Sequence, residues 1–125
     1  MNYQFTILGR FPGLNEYTKA NRTSLIMGNK MKRQAQQFAE VNIINQIGRG
    51  TRIQKPVIIH YTFFEPNKKR DKDNISSFAH KVIQDALVAC GVLENDGWKH
   101  VYGDTNTFAC DPHNPRIEVL IEEVI

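Results

Sequence analysis

Tyr3-Gln4-Phe5-Thr6-Ile7-Leu8 alternates apolar and polar side chains imperfectly and predicts a first strand, ended by Gly9 and the turn residues Pro12 and Gly13. The chain from there to about Leu25 is expected to be loop. From about Asn29 to Ile47, apolar residues at Met31, Ala35, Phe38, Val41 or Asn42, Ile44 and Ile47 recur near the helical period, and Gly48 and Gly50 stop the helix. Val57 to Phe64 is β-branched and aromatic without alternation, which predicts a central strand ended by Pro66. Asp73 or Asn74 can cap a second helix running to about Cys90. Its buried stripe is expected at Ile75, Phe78, Val82, Ala86 and Ala89, widened by Ile83, Leu87 and Cys90, and Gly91 ends it. Strands near Val101 to Ala109 and Arg116 to Val124 follow, separated by Asp111-Pro112-His113-Asn114-Pro115.

The order β-α-β-α-β-β describes a small α+β domain with a mixed sheet and two helices, spanning residues 1–125 without repeats or an internal linker. With 41% hydrophobic and 10% aromatic residues the chain can form a sizeable core. Nothing at the N-terminus reads as a signal peptide and no apolar run is long enough to span a membrane, so a soluble, cytoplasmic protein is expected. Cys90 and Cys110 lack CxxC spacing and read as reduced core thiols; a zinc site from Cys90, Cys110, His80 and His113 is the weaker alternative.

Charge changes the picture. Residues 1–72 carry 13 cations and 4 anions, a balance of +9, whereas residues 73–125 carry 3 and 9, a balance of −6. One surface is then basic enough to follow a polyanion, and nucleic acid is the natural partner; a solvated basic helix, with Lys30, Lys32 and Arg33 on its polar face, is the bland alternative. Inside the basic run Lys68-Lys69-Arg70-Asp71-Lys72-Asp73-Asn74-Ile75, two carboxylates stand at i and i+2. In extended backbone both point to one side, and their repulsion calls for a shared proton, a cation or a divalent metal. Asp96 lies where the second helix gives way to the next strand, a position from which a returning loop could join them. Alternatively Asp71 pairs with neighbouring cations and Asp73 caps the helix.

The pattern Arg70-Asp71-Lys72-Asp73-Asn74-Ile75, then Asp85-Ala86-Leu87, then Gly91-Val92-Leu93-Glu94-Asn95-Asp96 closely resembles the RusA family of Holliday junction resolvases, usually of prophage origin. The likeness runs from Pro12-Gly13-Leu14-Asn15, similar to that family's N-terminal Pro-x-x-Asn, to Pro115-Arg116-Ile117-Glu118-Val119. It implies that Asp71, Asp73 and Asp96 bind Mg²⁺, for which Mn²⁺ can substitute, in phosphodiester hydrolysis. It also implies a homodimer acting on four-way DNA junctions. Two positions depart from the family. Asn95 stands where an aspartate is common, and the catalytic lysine, usually within a turn of DxDN, corresponds here to Lys81, four residues before Asp85.

The expected function is therefore a metal-dependent, structure-selective endodeoxyribonuclease that resolves junctions by paired cuts. Asp71, Asp73 and Asp96 would hold metal and Lys81 would act in catalysis; Lys68, Lys69, Arg70, Lys72, Asn15, Lys30, Lys32 and Arg33 would contact DNA. The alternatives are a nuclease of the same chemistry acting on flaps or RNA, and an inert nucleic-acid-binding protein. Trp98 is expected to pack beneath the metal loop, Asp85 to pair with Lys81, and the four histidines to be structural or solvated. The dimer is expected to use the face of the last strand that carries Ile117, Val119 and Ile121, with the basic first helix and its loops as the alternative.

Overall fold

The computed structural model describes residues 1–124. Its order is β1 (Asn2–Leu8), α1 (Leu14–Thr23), α2 (Leu25–Ile47), β2 (Val57–Glu65), α3 (Lys72–Ala89), β3 (Val101–Cys110) and β4 (Arg116–Glu123). The α+β class and the mixed sheet are as expected, with three helices instead of two. The added helix, α1, occupies the stretch expected to be loop. Gly13 stands at its N-terminal boundary, and the Glu16 carboxylate accepts the Gly13 N–H at 3.2 Å, which satisfies a donor that the helix start would leave free.

The four strands form one sheet in the order β1-β4-β2-β3. Strand β4 runs antiparallel to both β1 and β2, while β2 and β3 are parallel and joined through α3. Strand β2 is internal, as its apolar run predicts, and its odd-numbered residues Val57, Ile59, Tyr61 and Phe63 are buried in the core. Strand β4 is also internal, and Ile117, Val119 and Ile121 are buried in the core. The expected dimer surface on that strand is therefore corrected: its apolar side is already covered.

Helix α3 is firmly held, because Ile75, Phe78, Val82, Ile83, Ala86 and Leu87 are all buried, together with Ser76 and Ala79. Each large apolar side chain there contributes roughly 1.5–3 kcal/mol. Ala89, expected on that stripe, is exposed. Helix α2 instead lays a narrow line of small residues, Gly28, Ala35 and Ala39, with Ile43, onto the core. Small side chains allow close approach, so the bulkier Phe38 and Val41, expected inside, are left exposed.

The sheet's outer edges differ. On β1 the Gln46 side-chain amide donates to the Thr6 carbonyl at 2.8 Å and accepts the Thr6 N–H at 2.7 Å, occupying that edge as a neighbouring strand would. Strand β3 has β2 on one side and no strand on the other among the described residues. No helix among the described residues is long and apolar enough to cross a membrane.

Candidate functional site

Helix α3 enters directly from the C-terminal end of β2. Pro66 follows the last strand residue, and the Asn67 Oδ1 accepts the Lys69 N–H at 3.0 Å, tightening the turn. The N-cap is Asp71, not Asp73 or Asn74 as expected: its Oδ1 accepts the Asn74 N–H at 2.8 Å. Asp73 stands in the first turn with its carboxylate exposed, and both acids lie at the positive end of the helix dipole.

Because β2 and β3 are parallel, their C-terminal ends and the start of α3 meet at one end of the sheet, the place where open α/β units bind ligands. An open cavity of about 700 Å³ lies there. Asp71 and Asp73 line it beside Lys68 and Lys72, with Phe108 and Ile75 as its apolar wall. The Lys72 ammonium lies 5.6 Å from the centre of the Phe108 ring, which in turn stacks on Phe63.

The Pro12-Gly13-Leu14-Asn15 turn packs against this same helix start, although 59 positions separate the contacting residues. The Asn74 Oδ1 accepts the Asn15 backbone N–H at 2.8 Å, and a Cβ placed on Gly13 would come within 2.6 Å of that oxygen. Glycine is needed at position 13 for this approach. The Asn15 residue itself is exposed.

Arg70 completes the join. Its Nε and second guanidinium nitrogen donate to the two Glu65 carboxylate oxygens at 3.0 and 2.9 Å, and its remaining nitrogen donates to the Phe11 carbonyl at 3.0 Å. Arg10 donates to Glu65 as well, at 3.1 Å. Arg70 was expected to contact DNA; instead its charge is held by a carboxylate that is itself 4% exposed. Sequence reasoning passed over Glu65. Its odd position in β2, in phase with Tyr61 and Phe63, signals a buried acid that must find a cation.

The other expected site residues divide. Lys68, Lys69 and Lys72 are exposed around the start of α3. Lys30 and Arg33 are exposed on α2, outside the cavity's lining. Lys32 is committed to Asp85 at 2.7 Å. Lys81 also pairs with Asp85, at 3.4 Å, as expected from their spacing. Helix α3 starts at Lys72, so Lys81 stands about 15 Å along it from Asp71 and is not brought to the cavity. Ser76, which occupies the first turns instead, turns its hydroxyl back onto the Lys72 carbonyl at 2.9 Å.

Asp96 is further removed. It follows the whole of α3, whose 18 residues span about 27 Å, and it precedes the start of β3. There the His100 carbonyl accepts the Val57 N–H at 2.9 Å, fixing this loop at the N-terminal ends of the parallel strands. Among the described residues no three His, Cys, Asp or Glu side chains stand close enough to hold a metal. The Asp71 and Asp73 pair nevertheless suits Mg²⁺, which keeps several waters and commonly takes one or two carboxylates plus phosphate oxygens. Cys90, Cys110, His80 and His113 do not gather into such a group either.

His60 contacts Thr105 and Glu122, His80 contacts Asn106 and His100 contacts Glu94, consistent with structural roles; His113 is exposed. Cys90 is a half-buried thiol whose pKa burial pushes up, and Cys110 is exposed at the end of β3, not in the core. Trp98 is 99% exposed, which corrects its expected packing. No protein-family model matches the chain, and no curated protein matches it.

Proposed function

We propose that the protein is a metal-dependent, structure-selective endodeoxyribonuclease that resolves four-way DNA junctions by paired phosphodiester hydrolysis, a RusA-like activity. One observation carries the reading. Two of the sequence stretches that bear the resemblance, Pro12 to Asn15 and Asp71 to Asn74, are joined by the Asn15 to Asn74 hydrogen bond beside a cavity that holds two exposed carboxylates and the exposed Lys68 and Lys72. Lys68, Lys69 and Lys72 would draw a phosphate backbone to the cavity by replacing its counterions. Asp71, held through its cap bond to Asn74, and Asp73, two residues on, would present oxygens to Mg²⁺ or Mn²⁺. The metal, when bound, supplies charge stabilisation to the phosphoryl oxygens and an acidified water. The Asp71 cap bond occupies one oxygen and leaves the other free for that purpose.

A second reading, a nucleic-acid-binding protein without turnover, is favoured by the position of Lys81, which is paired with Asp85 instead of standing at the cavity. One experiment separates the two. The protein is incubated in Mg²⁺ or Mn²⁺ with a labelled four-way junction, a flap, single-stranded DNA and duplex RNA. Paired cuts in the junction are expected, and Asp73→Asn should abolish them while binding persists or tightens, because an anion near the phosphate has been removed. Tight binding with no cleavage of any substrate would replace the first reading by the second. Cleavage by Asp73→Asn at the wild-type rate would remove Asp73 from the metal site.

A further inference from the structure

Helix α2 carries two stripes. The buried one, Gly28, Ala35, Ala39 and Ile43, faces the core. The other repeats at alternating steps of four and three residues, Met27, Met31, Gln34, Phe38, Val41 and Asn45, the spacing by which one helix seams to another. Much of it is bare: Met27 is 51%, Phe38 48% and Val41 55% exposed, and Ile26 beside them is exposed as well. Single exposed apolar residues are ordinary, but a run of them extending about 21 Å along one helix marks an interaction surface.

The surface is recessed. Phe11 and Pro12, from the connection between β1 and α1, stand beside Met27, Met31 and Phe38 and enclose a groove of about 520 Å³. Methionines let such a groove adapt to the side chains it receives. Lys30 lines it, and Arg33 stands exposed on the same flank, away from the buried stripe. Neither cation makes an ion pair among the described residues, whereas Lys32, on the core side, is held by Asp85. Glu40 is the sole acid of the helix, about two turns beyond Arg33, and it accepts a hydrogen bond from Gln36.

We propose that this groove docks an acidic amphipathic helix of a partner protein, whose apolar stripe seats on Met27, Met31 and Phe38 and whose carboxylates pair with Lys30 and Arg33. The charge pattern selects the occupant. A second copy of this chain set parallel would bring like cations together, and one set antiparallel would lay them against the Val41 to Asn45 end, which has no acid. A nucleic acid would match the cations but leave the apolar stripe uncovered, and a bilayer is flat where the groove is recessed. An acidic helix meets both the charge and the shape. The groove shares no lining residue with the Asp71 and Asp73 cavity. It lies behind that site, since Phe11 forms its wall while the Phe11 carbonyl accepts the Arg70 guanidinium. A docked partner therefore tethers the protein and leaves the cavity open. The proposal stands apart from the nuclease reading.

The probe is a synthetic fluorescein-labelled helix of about three heptads, with leucine at the four-three spacing and glutamate on one flank, beside a twin with lysine in place of glutamate. By fluorescence anisotropy at low salt the glutamate peptide should bind and the lysine peptide should not. Phe38→Ala should weaken binding about tenfold or more. Lys30→Glu combined with Arg33→Glu should reverse the preference in favour of the lysine peptide, and Lys55→Glu, outside the groove, should change nothing. All four positions are exposed, so melting temperatures close to that of the parent show each variant to be folded. Equal binding of the two peptides, or binding of neither, overturns the proposal. So does a parent dimer that Phe38→Glu dissociates in light scattering, which would make this face an interface between copies. Uptake of the parent, but not of Phe38→Ala, by anionic vesicles without any peptide binding would assign the face to a membrane instead. Cleavage enters none of these measurements, so the two readings fail separately.

Discussion

Replacing Arg70 by alanine isolates the difference between a cation that holds the fold and one that holds DNA. The substitution removes two charge-assisted hydrogen bonds to Glu65 and one to the Phe11 carbonyl. Breaking a buried pair by deleting one partner costs about 3–5 kcal/mol, since the remaining charge is left in a poor solvent. Arg10 stays at 3.1 Å from Glu65 and recovers part of this, but its side chain is 40% exposed, so about 3 kcal/mol of loss is expected. At roughly 2.1 cal/mol/K of unfolding entropy per residue, that loss lowers the Tm of 125 residues by about 11 °C. Thermal and urea unfolding followed by far-ultraviolet circular dichroism measure it, and a double-mutant cycle with Glu65→Gln should show coupling above about 1 kcal/mol. A Tm drop under about 4 °C with no coupling would mean that the Glu65 to Arg70 pair does not brace the site.

Lys69→Ala should change stability by less than about 0.5 kcal/mol and reduce the slope of log binding constant against log salt by about 0.9, read by fluorescence anisotropy on duplex DNA at several salt concentrations. Asp71→Asn keeps an N-cap acceptor and should melt close to the parent while losing Mn²⁺ affinity by calorimetry; Asp71→Ala should lose the metal and about 1 kcal/mol of stability as well. The Asp111 carboxyl is held below its ordinary pKa, chiefly by the hydrogen bond from Arg116 and further by the Asn114 and His113 backbone N–H groups. Its contribution to stability is present above the ordinary carboxylate pKa and is lost as pH falls through the lowered value; carbon NMR titration should show this lowered value, and Arg116→Gln should move it upward.

Periodicity made the sheet and α3 legible because those elements bury one clear face each: Ile75, Phe78, Val82, Ala86 and Leu87 lie where a helical stripe puts them. Helix α2 misled because apolarity and burial part company there. Its buried line is Gly28, Ala35, Ala39 and Ile43, and the larger Phe38 and Val41 face outward. Helix α1 was missed because its apolar content is slight, with Ala20 as its one buried residue. At the site, local spacing located Asp71 and Asp73 but put the cap at Asp73 or Asn74, since several neighbouring acceptors could reach a free N–H. The join between Asn15 and Asn74 depends on tertiary packing and leaves no local signal. Glu65 did leave one, as an acid in phase with a buried strand face.

The charge asymmetry between the two halves of the chain overstates the basic surface, and the geometry says by how much. Arg10 and Arg70 converge on Glu65, and Lys32 is tied to Asp85, so three of the cations counted in residues 1–72 neutralise acids inside the fold. Setting aside Lys19, Arg22, Arg49, Arg52 and Lys55, the remaining five form two groups, Lys30 and Arg33 on α2 and Lys68, Lys69 and Lys72 at the start of α3. Only the second group stands beside Asp71 and Asp73, and short-range attraction decays within about a Debye length of 8 Å at physiological salt. On the proposed function, that turn is where a phosphate and a metal would be held at once. The acid that the same pattern adds at Asp96 lies at the far end of a rigid parallel unit. The β-α-β crossover carries the end of α3 away from its start, so within one chain a helix of about 27 Å stands between Asp96 and the Asp71 and Asp73 pair.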